Sequence, residues 1–201
     1  EDLKTDYSHI KNEISFSSKN ISCSFNDPFF TDLKNISFDV NVGEIFGIAG
    51  VAGNGQSELM DILVGENTLI DSGELIFNNK NIEYLGPQKR RDLSIAFVPE
   101  NRLGHSAVPE LTLSENILLS QFPNNKFSKN GILNHNSIND YAIKVIKNFN
   151  VVTPGSDAKA SSLSGGNLQK FVIGREISSK PKLLIISHPT WGIDAGAEHS
   201  I

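Results

Sequence analysis

The sequence contains a single cysteine, Cys23, no long apolar run, and no surplus of positive charge. One thiol can form neither an intrachain disulfide nor a CxxC metal site, so a reducing cytoplasm is the expected compartment. Cys23 itself reads as a small buried hydrophobe. The longest apolar stretches, Ile45 to Val51 and Leu183 to Ile186, fall far short of the roughly 20 residues that cross a bilayer, so neither a membrane span nor a signal peptide is expected. Lys and Arg number 18 against 23 Asp and Glu, a formal net charge of −5. That balance argues against a nucleic-acid partner, which calls for a basic face. The short Lys89-Arg90-Arg91 cluster reads as a solvated helix end.

What is present suits one compact globular domain. The 201 residues are 38% hydrophobic and 20% charged, too apolar for disorder. A chain of this length hides roughly 70% of its unfolded surface.

Between Asn35 and Ala49 two runs predict strands: an alternating one (Ile36, Phe38, Val40, Val42) and a nearly continuous apolar one, Ile45-Phe46-Gly47-Ile48, with Gly43-Glu44 as the turn. Gly50-Val-Ala-Gly-Asn-Gly55 follows, and Ser57 to Val64 then carries Leu59, Met60, Ile62 and Leu63 at helical spacing. Glu74 to Phe77 and Ser94 to Val98 predict short strands, the second stopped by Pro99. From about Asn101 to Ser162 β-branched runs thin out, a polar loop stands at Pro123-Asn-Asn-Lys126, and Ile138 to Phe149 is amphipathic, which predicts a helical subdomain. Ser164 to Ile177 predicts a helix, followed by Pro181 and the buried-strand run Leu183-Leu-Ile-Ile186. The expected fold is therefore α/β, a mixed sheet with an inserted α-helical part.

Gly50 to Ser57 reads G-x-x-x-x-G-Q-S, which matches the phosphate-loop pattern G-x-x-x-x-G-K-[ST] except that Gln56 replaces the lysine. Glycines let backbone N–H groups turn inward as an anion nest, and the following helix adds the positive end of its dipole. Gly50, Gly53, Asn54, Gly55, Gln56, Ser57 and Glu58 are thus candidate phosphate-binding residues. Exchanging an ammonium for a neutral amide forfeits about 1.5–3 kcal/mol, roughly 10- to 150-fold in affinity. A glycine-rich turn without ligand is the other reading. A dinucleotide fingerprint fails, because Gly53-Asn-Gly55 is followed by Ser57-Glu58 and not by a third glycine.

A second such feature stands at Leu163-Ser-Gly-Gly-Asn-Leu-Gln-Lys170, where a serine hydroxyl and paired glycine amides (Ser164, Gly165, Gly166) open a helix. Alone, it is equally a helix cap.

In this order, and followed by an apolar strand and Pro189-Thr190, these elements resemble the ATP-binding cassette (ABC) family of P-loop NTPases over nearly the whole chain. With Pro99-Glu-Asn-Arg102 and Gly192-Ile-Asp-Ala-Gly-Ala197, the sequence is most similar to the second, C-terminal cassette of the double-cassette ATPases of sugar and nucleoside importers. Glutamine in the phosphate loop and a Walker B strand without acids look most like the nucleoside-uptake branch, with a fully active ribose or galactose importer cassette as the alternative. A cassette protein that remodels nucleic acid is a further alternative, disfavoured by the acidic balance.

The resemblance implies one P-loop domain whose core is formed by residues 1–100 and 163–201, with a helical subdomain at 101–162. It implies ATP and Mg²⁺ as ligands. It also implies a cassette partner in the same protein, membrane permeases, a substrate-binding lipoprotein, and a peripheral place on the cytoplasmic face of the membrane. In such pairs nucleotide lies between the phosphate loop of one unit and the signature of the other, so Ser164, Gly165 and Gly166 would act in trans.

The sequence departs from that pattern where the chemistry lies. The family's Walker B strand ends Asp-Glu-Pro-Thr, and Ser187 and His188 stand in place of the two acids. A serine brings no charge to a hard cation, which leaves Ser57 as the one protein ligand for Mg²⁺. His188 either replaces the glutamate as general base or merely fills its space. Glu100 stands at the position of the family's Q-loop glutamine. The residue that stacks on adenine would lie upstream of the loop, with Phe25, Phe29 and Phe30 as candidates that could equally be core or surface. The sequence stops soon after Asp194, and His188 and His199 do not match the family's switch histidine, so a truncated cassette, weakly active or inactive by itself, is expected.

Overall fold

A computed structural model describes residues 11–121, 127–129 and 131–190. The polar loop expected at Pro123 to Lys126, the Gly192 to Ala197 stretch with Asp194, and His199 lie outside the described residues. The chain divides into two compact units, Glu1–Arg90 and Arg91–Ile201. Strands and helices mix as expected of an α/β protein, and no described helix is long and apolar enough to cross a membrane.

In the first unit, β1 (Ile14–Cys23), β2 (Leu33–Asn41), β3 (Ser72–Phe77) and β4 (Lys80–Asn81) form an antiparallel sheet in the order β2-β1-β3-β4. Phe16, Ile21 and Cys23 of β1 and Leu75 and Phe77 of β3 are buried, as is the free thiol expected at Cys23. Burial, with Asp71 nearby, pushes that thiol above its ordinary pKa. The expected alternating strand is β2, and its turn carries Gly43 at φ 80°.

The second expected strand does not form. Ile45 to Ile48 has no ladder partner among the described residues, and Ile45 is 93% exposed. Phe46 instead stacks on Phe38 at 5.0 Å. A continuous apolar run signals a preference for burial, but a strand also needs a neighbour to take its N–H and C=O groups.

Helix α1 (Gln56–Val64) buries Leu59, Ile62, Leu63 and Val64 and ends at Gly65, whose φ of 86° suits only glycine without strain. The carbonyls of its last turn would be orphaned, and Arg90 meets them. Its guanidinium, wholly buried, donates to the carbonyls of Ile62 and Leu63, both at 2.6 Å, and to those of Leu85 (2.7 Å), Ile82 (2.9 Å) and Glu83 (3.3 Å). Desolvation pulls its pKa down to about 10, against the opposing charge of Glu83.

This corrects the reading of Lys89-Arg90-Arg91 as a solvated helix end. The residues do lie in a helix, α2 (Pro87–Asp92), but only Lys89 is exposed. Arg91 pairs with Glu176 at 2.7 Å and lies 4.0 Å over the Phe97 ring. A cluster of charges has no pattern that separates a solvated lysine from an arginine whose five donors are all used inside.

In the second unit, β5 (Ile95–Val98) and β8 (Leu183–Ile186) pair in parallel, Ile95 opposite Leu183 and Val98 opposite Ile186. Both strands were expected. β5 is buried throughout, whereas all four residues of β8 are only half-buried, since among the described residues β8 has a strand on one edge alone. Helices α3 (Leu113–Gln121), α4 (His135–Asn148) and α5 (Gly165–Ser178) pack with β5 around Val98, Leu113, Ile117, Ile138, Val145, Phe171 and Val172. α4 and α5 match the expected helices. The hairpin β6 (Ser128–Lys129) and β7 (Ile132–Leu133) precedes α4.

Candidate functional site

Gly50 to Asn54 is an exposed loop that turns through buried Gly55 into α1. Gly53 at φ 83° and Gly55 at φ 99° occupy the left-handed region, so glycine is required at both. Gly55 caps α1 with no side-chain hydrogen bond, which leaves the first N–H groups of the helix to a ligand or water. Ser57 is exposed in the first turn.

Gln56 closes this loop upon itself. Its Oε1 accepts the Asn54 N–H at 3.1 Å, and its Nε2 donates to the Val51 carbonyl at 2.9 Å. A Cβ on Gly50 would meet that Nε2 and push the Gln56 side chain aside. A lysine could satisfy the carbonyl but not the N–H. Here one inward donor is already taken by a neutral side chain.

Glu58, the next acid, is buried, and its Oε1 accepts the Thr31 N–H at 2.8 Å. The Thr31 hydroxyl donates to the Gly53 carbonyl at 3.0 Å. Thr31 also lines an open cavity of about 660 Å³ with Phe25, Phe30, Asp32 and Lys34. Phe25 and Phe30 stack at 5.4 Å. Of the three aromatic candidates, these two line the cavity, whereas Phe29 is 93% exposed and does not.

In the second unit, Ser164 is the N-cap of α5, in extended backbone (φ −62°, ψ 155°), and its hydroxyl accepts the Asn167 N–H. Asn167 in turn donates to Ser164 Oγ at 2.9 Å and accepts the Val152 N–H at 2.8 Å. Gly165 is exposed and Gly166 half-buried in the first turn. The expected serine-glycine helix start is thus present and tied down from behind.

Glu100 and His188 leave the same ends of β5 and β8, where ligands of parallel sheets gather. Their side chains approach to 3.9 Å, an ion pair when the imidazole is protonated. His188 holds φ 48°, uncommon for a residue with a side chain. The Ser187 N–H donates to the Val98 carbonyl at 2.9 Å, extending the ladder by one residue. Buried Gln169 of α5 connects the loops beyond these strands: its Oε1 accepts from Arg102 Nε at 3.0 Å and its Nε2 donates to the Pro189 carbonyl at 3.2 Å.

The profile of the ABC transporter family matches residues 33–191. The chain belongs to the ABC transporter family. It is similar to the nucleoside import ATP-binding protein NupA of Lactococcus lactis subsp. cremoris, 45% identical over 165 residues that cover 82% of this chain and 32% of that protein. The guanosine import ATP-binding protein NupO of Bacillus subtilis is 41% identical over 165 residues, again 82% of this chain and 32% of that protein. The chain therefore spans about a third of the length of these curated relatives. Among solved structures, a dimeric ATP-binding cassette in a post-hydrolysis state with ADP and phosphate superimposes with a TM-score of 0.77 at 23% identity. It covers 92% of this chain and 79% of its own. That likeness establishes the P-loop ABC ATPase fold.

Two residues of this ABC domain had no sequence signal as site elements. Thr31 contributes a backbone N–H, which every residue but proline owns. Gln169 was legible only as part of the signature string, not as the link between Arg102 and Pro189.

Proposed function

We propose that the chain is an ATP-binding cassette of an importer for nucleosides or, failing that, simple sugars, in the second cassette position of a double-cassette ATPase. Its core would comprise residues 1–100 and 163–201 and its helical subdomain 101–162, as one cassette. Its partners would be the N-terminal cassette of the same protein, membrane permeases at the cytoplasmic face and, indirectly, a substrate-binding lipoprotein. The cargo follows from the names of its relatives NupA and NupO and from the Gln56, Ser187 and His188 departures.

One observation carries the division of labour. The donor Asn54 N–H of the phosphate loop is occupied by Gln56, while the Ser164 end of α5 keeps its cap and its Asn167 tie. The left-handed Gly53 and Gly55 and the start of α1 suit an ATP phosphate chain. For Mg²⁺ the donor set is poor: the Ser57 hydroxyl is neutral, and Ser187 and His188 stand at the sequence positions of the family's two acids without bringing a carboxylate. This cassette therefore holds ATP weakly and contributes Ser164, Gly165 and Gly166 to the hydrolytic site of its partner. By sequence position, Glu100 would be this cassette's Q-loop residue and His188 would stand for its catalytic acid.

The test is turnover in the full double-cassette protein, read as phosphate release. Ser164→Arg should abolish it, and Gln56→Ala should leave most of it. The reverse ranking would make this cassette the hydrolytic one.

A further inference from the structure

A carboxylate beside a triphosphate loop repels the ligand, so Glu58 needs another reason to stand there. The residue is 8% exposed, and its Oε1 accepts the Thr31 N–H at 2.8 Å. The Thr31 hydroxyl reaches back to the Gly53 carbonyl at 3.0 Å. A Cβ on Gly55 would press on Leu33 and touch the Thr31 methyl, so the loop and this segment are also in close apposition. On its other side Thr31 belongs to the wall of the aromatic cavity. That wall has its own order: Phe25 stacks on Phe30, and Asp32 accepts the Phe25 N–H at 3.1 Å.

We infer that Glu58 is a positioning residue which, through Thr31, fixes the aromatic cavity at one span and angle from the phosphate loop. A ligand with an aromatic base at one end and a triphosphate at the other then meets both subsites at once. This rests on the proposed reading of Gly50 to Ser57 as the triphosphate loop. A fixed span makes the second contact intramolecular, and that advantage is lost when the two subsites move independently. An acid is the suitable acceptor because a charged acceptor strengthens the bond to Thr31, and the first turn of α1 favours negative charge.

The experiment is calorimetric titration of the 201-residue chain with ATP and with inorganic tripolyphosphate, which has the phosphates and no base. Glu58→Ala should lower the preference for ATP over tripolyphosphate by about 10-fold, the worth of a hydrogen bond to a charged group. Glu58→Gln, which keeps the acceptor, should restore the preference. Removing the charge affects both ligands and both variants alike, so it cancels in the ratio. Thr31→Val, which removes only the hydroxyl tie, should lower the ratio in the same direction and serves where Glu58→Ala does not fold. An unchanged ratio in the alanine and valine variants, or a glutamine variant as poor as alanine, overturns the inference. Failure of the unaltered chain to bind tripolyphosphate overturns the phosphate-loop reading as well, whereas tripolyphosphate binding with an unchanged ratio sinks only the role of Glu58.

Discussion

Helices α1 and α5 both begin at glycine-rich turns, and they begin in opposite ways. α1 starts from Gly55 in the left-handed region with no side-chain cap, and the Asn54 N–H beside it is taken by Gln56. α5 starts from Ser164 in extended backbone, with its hydroxyl on the Asn167 N–H and Asn167 fastened to Val152. The first start is uncapped, and its loop is closed by its own Gln56. The second is fixed from behind, with Gly165 exposed. Similar composition thus yields one helix start left uncapped and another closed by its own serine.

The contrast can be broken most forcefully at the far end of α1. Arg90→Met leaves the Ile62, Leu63, Ile82, Glu83 and Leu85 carbonyls short of donors, and urea unfolding should show a loss of about 3 kcal/mol or more. A loss under about 1 kcal/mol would mean that water replaces the guanidinium. Next, Gln56→Lys should tighten ATP binding by roughly 10-fold or more in a titration, since an ammonium on phosphate replaces an amide that competes for the loop. Equal affinity would show that the loop of α1 is not limited by Gln56.

Smaller effects sharpen the comparison. Ser164→Ala should cost about 1 kcal/mol in thermal unfolding, the usual worth of an N-cap. The smallest change belongs to a third helix start, α3, where Glu115 accepts the Thr112 N–H at 2.8 Å and the Thr112 hydroxyl accepts the Glu115 N–H at 3.2 Å. The bonds its carboxylate accepts from the Thr112 N–H and, at 2.9 Å, from the Thr112 hydroxyl hold the Glu115 pKa below its ordinary value. The folded state thus prefers the ionised form, and its benefit is present above the ordinary carboxylate pKa and lost as pH falls through the lowered one. The stability difference between the unaltered chain and Glu115→Gln should accordingly shrink to nothing in acid.

Periodicity and glycine placement made α1, α4, α5, β2, β3, β5 and β8 readable in advance. β1 escaped because Asn20, at φ 49°, interrupts its alternation and the register shifts between Ser18 and Ile21. Ser17 and Ser18 are also buried, which hides the strand from a hydrophobic pattern. α3 carried a readable signal in Thr112 and Glu115, a capping box, that hydrophobic spacing alone does not register. Ile45 to Ile48 erred in the other direction, since sequence reveals an appetite for burial but not the presence of a pairing strand. In the site, the loop glycines were legible from the conformations they permit. Gln56 was read there as a lost charge, and only its geometry reveals a side chain that fills the space it failed to charge.

Gln169 works as a splice. One carboxamide, buried in the signature helix, holds Arg102 with its oxygen and Pro189 with its nitrogen. Neither end can let go without stranding a polar atom away from water. Movement in the loop after β5 or in the loop after β8 is therefore felt as tension on α5, and a shift that carries all three together strains nothing.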